Sequence, residues 1–243
     1  AGTMNENLPL ESKLVSRFIQ GAQAQVEGYN FDMRKYVVEY DDVIARQREV
    51  IYADRRTVLE RADMHERILG MIRDEVAKIV ATCIPSNVVM EEEELETLFK
   101  TLELWVHVPE ELVPENIYAV HRDQLKQDLT NLVIEHYEQR GDELRKQARQ
   151  QGIEKFDPLR EFERSYLLQV VDRLWMDQIN ALDMMRVTIG FRSVGQRDPR
   201  PVFKNEAFRM FDELKAAIRH YTVDALLKLM RSELTISVNR PTS

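Results

Sequence analysis

Five histidines and one cysteine are the residues of this chain best suited to ligate a metal or act as a nucleophile, and their spacing assembles neither function. A two-metal carboxylate site in a helical bundle needs a glutamate three residues before a histidine on an inward face. The residues three before His65, His107, His121, His136 and His220 are Ala62, Leu104, Tyr118, Val133 and Ala217, so none supplies it. Cys83 alone excludes an internal disulfide and a cysteine-cluster zinc site, and near the end of an apolar helical run it reads as a small core hydrophobe. Asp41 and Asp42 are adjacent, which on a helix points them about a hundred degrees apart; they do not converge as an acid–base pair. No glycine loop ending in Gly-Lys-Ser or Gly-Lys-Thr cradles a phosphate, and no dinucleotide glycine pattern occurs. Glu91 to Glu94 are consecutive, whereas a calcium loop spreads its ligands over a turn that contains a glycine. At a helix start those four instead complement the exposed amide groups. No catalytic, cofactor-binding or metal-binding residue is assigned, and the chain is expected not to catalyse a reaction by itself.

The one concentration of functional groups left is a basic stretch, Gly190 to Phe203, and two helices must carry it. Before it, Phe162, Tyr166, Val170 and Leu174, then Leu182, Met185 and Ile189, fall at helical spacing, so a first helix is expected to run to about Ile189. A second register, Leu167, Val171, Trp175 and Ile179, widens the apolar face, as in a helix packed on two sides. After it, Phe211, Leu214, Ile218, Tyr221 and Ala225 step by threes and fours, the seam of a returning helix. Two glycines and two prolines separate the pair, and Asp198 before Pro199 favours a turn. Arg192, Arg197, Arg200 and Lys204 against Asp198 make the tip a basic, exposed point.

A partner for so wide a face lies far upstream. Tyr29 to Leu69 contains no glycine or proline, which allows a helix of roughly 60 Å at 1.5 Å per residue. Val37, Tyr40, Ile44, Gln47, Ile51 and Val58 mark one stripe along it. Before this rod, Leu14, Val15, Phe18, Ile19 and Ala22 predict a shorter helix that stops near Gly21 to Gly28. After it, Ile68, Ile72, Glu75, Val76 and Ile79 continue as helix until Pro85-Ser86-Asn87. A helix with Leu95, Leu98, Phe99 and Leu102 follows the glutamate run. Trp105 to Val108 are either a short extended piece or a loop anchored by its tryptophan. Another helix is expected from Pro114, with Leu125, Leu129, Leu132, Val133, His136 and Tyr137 on its face and Gly141 or Gly152 at its end. The fold class read from this pattern is all-α: a long helix packed on a two-helix hairpin, with a small helical lobe inserted between them.

With 243 residues, 44% of them hydrophobic and 31% charged, the chain has material for packed cores in one large or two modest domains. No run approaches the length of a membrane span, and Ala1 to Met4 has neither the charge nor the apolar stretch of a signal peptide. It reads as a cloning scar. The net charge of −8 is contributed entirely by Glu91 to Glu115, with nine glutamates and one lysine; elsewhere the charges balance. A broad basic face for nucleic acid is thereby disfavoured. One cysteine suits a reducing, cytosolic setting.

Two runs, in this order, carry a resemblance. LPLESKLVSRFIQGAQAQVEGYNFDMRKYVVEYDDVIARQREVIY resembles the end of the second motor lobe and the long scaffold helix of SecA, the ATP-driven motors of bacterial preprotein export. SYLLQVVDRLWMDQINALDMMRVTIGFRSVGQRDPRPVFKNEAFRMFDEL resembles that family's two-helix finger. The likeness covers most of Leu8 to about Leu229 and is thinnest from Cys83 to about Lys155, where position and composition match more than motif. It implies a division into residues 1–27 (scar and tail of the motor lobe), 28–70 (long scaffold helix), 71–156 (helical wing), 157–236 (two-helix finger) and 237–243 (tail). It implies that Phe191, Arg192, Val194, Gly195, Gln196 and Arg197 form the finger loop that touches polypeptide and channel, and that Asp41, Asp42 and Arg46 face the motor, one aspartate awaiting a basic partner outside this chain. The first 27 residues, without their lobe, are expected to be mobile or held by a lattice contact. Partners implied are the motor lobes, the SecYEG channel, preprotein and, through the parent protein, an anionic membrane surface at the inner face of the bacterial plasma membrane, with room for a homodimer and none for nucleic acid. ATP and magnesium would belong to the parent. Many relatives carry an aromatic residue, often tyrosine, where this chain has Val194; valine keeps an apolar contact but lacks the flat ring. Either Phe191 compensates or the tip pushes less. The alternative reading is a free-standing helical adaptor that uses the hairpin as a partner-binding arm. An overlooked helical active site would show as a buried cluster of titratable residues in a pocket.

Overall fold

The computed structural model describes residues 13–60, 64–85, 91–112, 121–152, 157–192 and 199–231. They form α1 (Lys13–Leu59), α2 (His65–Cys83), α3 (Glu92–Leu102), one 3-10 turn at Glu110–Leu112, α4 (Arg122–Gln150), α5 (Pro158–Arg192) and α6 (Pro199–Arg231). No strand occurs among the described residues, in agreement with the all-α reading. Two compact units divide the chain, Ala1–Arg48 with Ala181–Phe208 and Glu49–Asn180 with Arg209–Ser243; α1, α5 and α6 contribute residues to both.

Three helix boundaries differ from those read in the sequence. First, α1 runs unbroken through Gly21 and Gly28. Neither glycine has a positive φ, and a Cβ on either would meet open space. A glycine in a helix interior weakens it by about 1 kcal/mol but does not dictate a stop. Second, the rod ends at Leu59 and not near Leu69, although no glycine or proline intervenes. Met64 is buried in a core with Ile51 and Val58, and α2 starts at His65. Tertiary packing overrides propensity here. Third, α5 passes through Gly190 to Arg192, and α6 begins at Pro199 with Pro201 already inside it. Prolines are tolerated in the first turn, whose amide groups have no helical partner in any case.

In the first unit, α1 meets both later helices. Tyr40, Val43, Gln47, Leu182, Phe203 and Ala207 are buried, with the Tyr40 and Phe203 rings 4.3 Å apart. Gln47 donates its side-chain amide to the Ala207 carbonyl at 2.9 Å, which satisfies a polar group that burial would otherwise penalise. The side chains of Phe18, Ile19, Val26, Tyr29, Phe31 and Val38 on α1 are exposed.

In the second unit, Ile51 and Val58 of α1 pack with Leu167, Val171 and Trp175 of α5 and Leu214 and Ile218 of α6. The wide α5 face is thus used on two sides, as its double register predicts. A larger core joins Ile68, Ile72 and Val76 of α2, Leu95, Leu98 and Leu102 of α3, and Leu125, Leu129 and Val133 of α4 with Leu159, Val223, Leu226 and Met230. Each of these fully buried side chains contributes about 1.5–3 kcal/mol relative to exposure. Helices α2, α3 and α4 therefore share one core with the start of α5 and the end of α6. This is why the α6 seam departs from the expected spacing: Tyr221 is exposed, and Thr222, Val223 and Leu226 face inward instead.

Local chemistry sets the helix ends. Glu91 and Glu94 form a capping box at the start of α3. Asp157 accepts the Leu159 amide at 3.0 Å ahead of α5, with Pro158 at the first helical position. Arg140 donates to the Met230 carbonyl at 2.7 Å, serving a carbonyl in the last turn of α6. Trp105 lies in a turn, buried, and donates Nε1–H to Asp224 at 3.0 Å. It anchors a loop, not a strand.

Candidate functional site

The charged residues singled out on α1 find partners within the chain. Asp41 lies 3.5 Å from Arg186 of α5, and Asp42 lies 2.9 Å from Arg46 one turn along α1. The two carboxylates diverge, as adjacent helical residues must. All three side chains, Asp41, Asp42 and Arg46, stay more than half exposed, so these pairs are weak and the surface remains accessible.

Of the expected loop residues, Phe191 and Arg192 belong to the last turn of α5, and Val194, Gly195, Gln196 and Arg197 lie outside the described residues. One member of the basic tip is reassigned. Arg200 pairs with Glu39 at 3.2 Å and its guanidinium sits 5.4 Å from the Tyr36 ring centre, so its charge is engaged by α1 while the side chain stays partly exposed. Lys204 is exposed.

The second unit holds buried ionisable groups that the sequence reading did not single out as sites. Glu75, on the inward stripe of α2, is nearly inaccessible and accepts from Arg219 at 3.1 Å and faces His220 Nδ1 at 2.7 Å. Glu163 of α5 is fully buried; its Oε1 accepts from the Tyr137 hydroxyl at 2.9 Å and lies 2.8 Å from His65 Nδ1, with Arg160 near its other oxygen. His65 Nε2 meets Glu138 Oε1 at 2.5 Å. Burial, followed by the negative charge of Glu163, pushes the Tyr137 phenol far above its ordinary range, so it remains a donor. Burial also raises the Glu138 carboxyl. A signal was present: Leu159, Glu163, Leu167, Val171 and Trp175 step by four, which seats a carboxylate in the middle of an apolar stripe.

These clusters are structural networks whose donors and acceptors face each other. An open groove of about 400 Å³ between α5 and α6, with Tyr166, Arg173, Asp177, Tyr221 and Asp224 in its walls, includes no member of the His65 cluster. Among the described residues, no group of three or more histidine, cysteine, aspartate or glutamate side chains is arranged to hold a metal, and no helix is long and apolar enough to cross a membrane. Burial raises the Cys83 thiol, and the side chain packs partly against the larger core. It behaves as a small hydrophobe.

A family model described as the SecA Wing and Scaffold domain matches residues 9–230. The protein translocase subunit SecA of Herpetosiphon aurantiacus is 40% identical over 234 residues, covering 90% of this chain and 22% of that protein. The SecA subunit of Roseiflexus is 36% identical over 222 residues, with 89% and 21% covered. That of Carboxydothermus hydrogenoformans is 37% identical over 226 residues, with 93% and 25% covered. The chain thus spans about a fifth to a quarter of the length of the curated relatives it matches. With the match running from before α1 to the last turn of α6, this all-helical chain belongs to the SecA family and carries its wing and scaffold domain.

Proposed function

We propose that this chain is the scaffold and wing part of an ATP-driven protein-export motor, a force-transmitting piece without catalysis of its own. In this reading α1 takes up movement from motor lobes through a surface that includes Asp41, Asp42 and Arg46. The α5–α6 pair passes it to a loop, Phe191 to Arg197, that meets the translocating polypeptide at a SecYEG channel. Residues 28–70 and 157–236 then act as scaffold and finger, and 71–156 as wing. The parent would bind ATP and magnesium elsewhere, work in the cytoplasm and attach to the inner face of the plasma membrane.

The observation that carries the proposal is the way α1 engages both later helices within each unit. In the first, Asp41 reaches Arg186, Glu39 reaches Arg200, and Gln47 reaches the Ala207 carbonyl. In the second, Ile51 and Val58 enter the α5–α6 core. In each unit a stretch of α1, Glu39 to Gln47 in the first and Ile51 to Val58 in the second, is held by side chains of two other helices. Such support suits the transmission of displacement, because packed helices move as rigid elements.

The test is a cysteine at Val194 in the complete parent, challenged with an arrested preprotein. Cross-linking to the preprotein is expected. Absence of any adduct while channel docking is intact overturns the tip assignment.

A further inference from the structure

We propose that the His65 imidazole carries a proton on each ring nitrogen and so clasps the start of α2 to both α4 and α5, and that this clasp opens at Glu138 as the pH is raised. Nδ1 faces Glu163 Oε1 of α5 at 2.8 Å and Nε2 faces Glu138 Oε1 of α4 at 2.5 Å. Carboxylate oxygens are acceptors, so a ring held between two of them donates at both ends only as imidazolium. A neutral ring would turn one lone pair toward a carboxylate at contact distance.

The two ends are not equivalent. Glu163 is fully buried and gathers the Tyr137 hydroxyl, the His65 ring and the Arg160 guanidinium; removing a donor there would leave a carboxylate short of partners out of reach of water. Glu138 keeps more than a third of its side chain exposed and can turn to solvent. The ring therefore keeps Nδ1–H on Glu163 and gives up the Nε2 proton. The other charges nearby are Arg145, which favours ionised Glu138, and Asp142, which opposes it; Arg145 is itself bound by Asp142 at 2.8 Å and Asp157 at 3.1 Å. Glu66 adjoins the histidine on α2 itself.

The sign of the effect follows from proton counting. In the folded state the His65–Glu138 contact holds a proton that separate histidine and glutamate side chains release at lower pH. The stabilisation is thus complete below the ordinary histidine value and is lost as pH rises through the folded-state value. Because α2 begins at His65, the first turn of α2 is what loosens.

The test uses the complete 243-residue chain with nitrogen-15 histidine, followed by NMR from about pH 5 to about pH 9, alongside thermal melts. Both His65 ring nitrogens are expected to be protonated at neutral pH, with a midpoint about one unit or more above the ordinary value near 6.5. Glu138→Gln, which keeps size and removes charge, is expected to lower that midpoint by about one unit and to flatten the fall of melting temperature across the same range. A wild-type ring already neutral at neutral pH overturns the proposal without need of any variant. So does a protonated Glu138 beside a neutral ring, or a midpoint that Glu138→Gln leaves unmoved.

Discussion

Single buried donors and acceptors decide how the inserted lobe is fixed to α6, and Trp105 is the clearest of them. Burial acts to raise the Asp224 carboxyl, but the Trp105 N–H and the Lys228 ammonium outweigh it and hold the group below its ordinary value. A carboxylate depressed in the folded state stabilises above its unfolded value, and the contribution fades as pH falls through the folded value. Trp105→Phe removes one of the bonds responsible. Urea unfolding near neutral pH is expected to show a loss of about 1–2 kcal/mol from that bond, Asp224 being partly solvated. The gap between wild type and variant should narrow as pH falls below the ordinary aspartate value of about 3.9 and the carboxylate takes up its proton. In an Asp224→Asn background the effect of Trp105→Phe should lose its pH dependence. The sequence left Trp105 to Val108 open between a short extended piece and a loop anchored by its tryptophan, and it held no sign of the partner 119 residues away. Period and composition describe a residue's own element; they carry no record of which distant acid completes a buried hydrogen bond. The same limit hid Arg186 as the in-chain neighbour of Asp41.

Elements were the most legible scale, because apolar stripes at helical spacing report a face whatever lies against it. The stripe read from Val37 to Val58 and the double register of α5 were readable for this reason, and both are used in the packing except at Val37, which is exposed. Boundaries were less so, since glycine reports local cost and not outcome. Three glycines in two helices make this testable. Gly21 and Gly28 have open space where a Cβ would sit, so alanine at either should strengthen α1 by about 0.5–1 kcal/mol, read as greater helicity by circular dichroism and slower amide exchange around the site. Loss of helicity would mean that α1 needs a break there. Gly141 of α4 gives the opposite sign. Its added Cβ would come within 2.6 Å of Leu159 Cδ2, and Leu159 is fully buried in the larger core, with little freedom to yield. Gly141→Ala should therefore cost about 1–3 kcal/mol in urea unfolding. A sequence alone ranks these three glycines alike as punctuation in a helix; the neighbour that separates them comes from another element.

At the scale of the whole chain, the feature to explain is the run of exposed apolar side chains on the first half of α1, longer than the scattered ones at Met176, Met184 and Phe208. Phe18, Val26, Tyr29 and Phe31 are each more than half exposed, and Val38 extends the series. Scattered apolar side chains on a surface need no explanation, but a run of them along one helix marks a contact. The relatives are four to five times the length of the matched segment, so in a complete SecA-type protein there is ample chain to lie over this surface. If the proposed export-motor assignment holds, hydroxyl-radical footprinting of the complete protein should show oxidation of Phe18, Tyr29 and Phe31 reduced several-fold relative to the 243-residue chain. Oxidation of Trp105, buried within the inserted lobe, should stay low in both. Equal reactivity of the α1 residues in the two proteins would mean that the parent leaves this surface open. The rod would then take its input from a partner in trans, and the view of α1 as a receiver of motion from its own motor lobes would have to be given up.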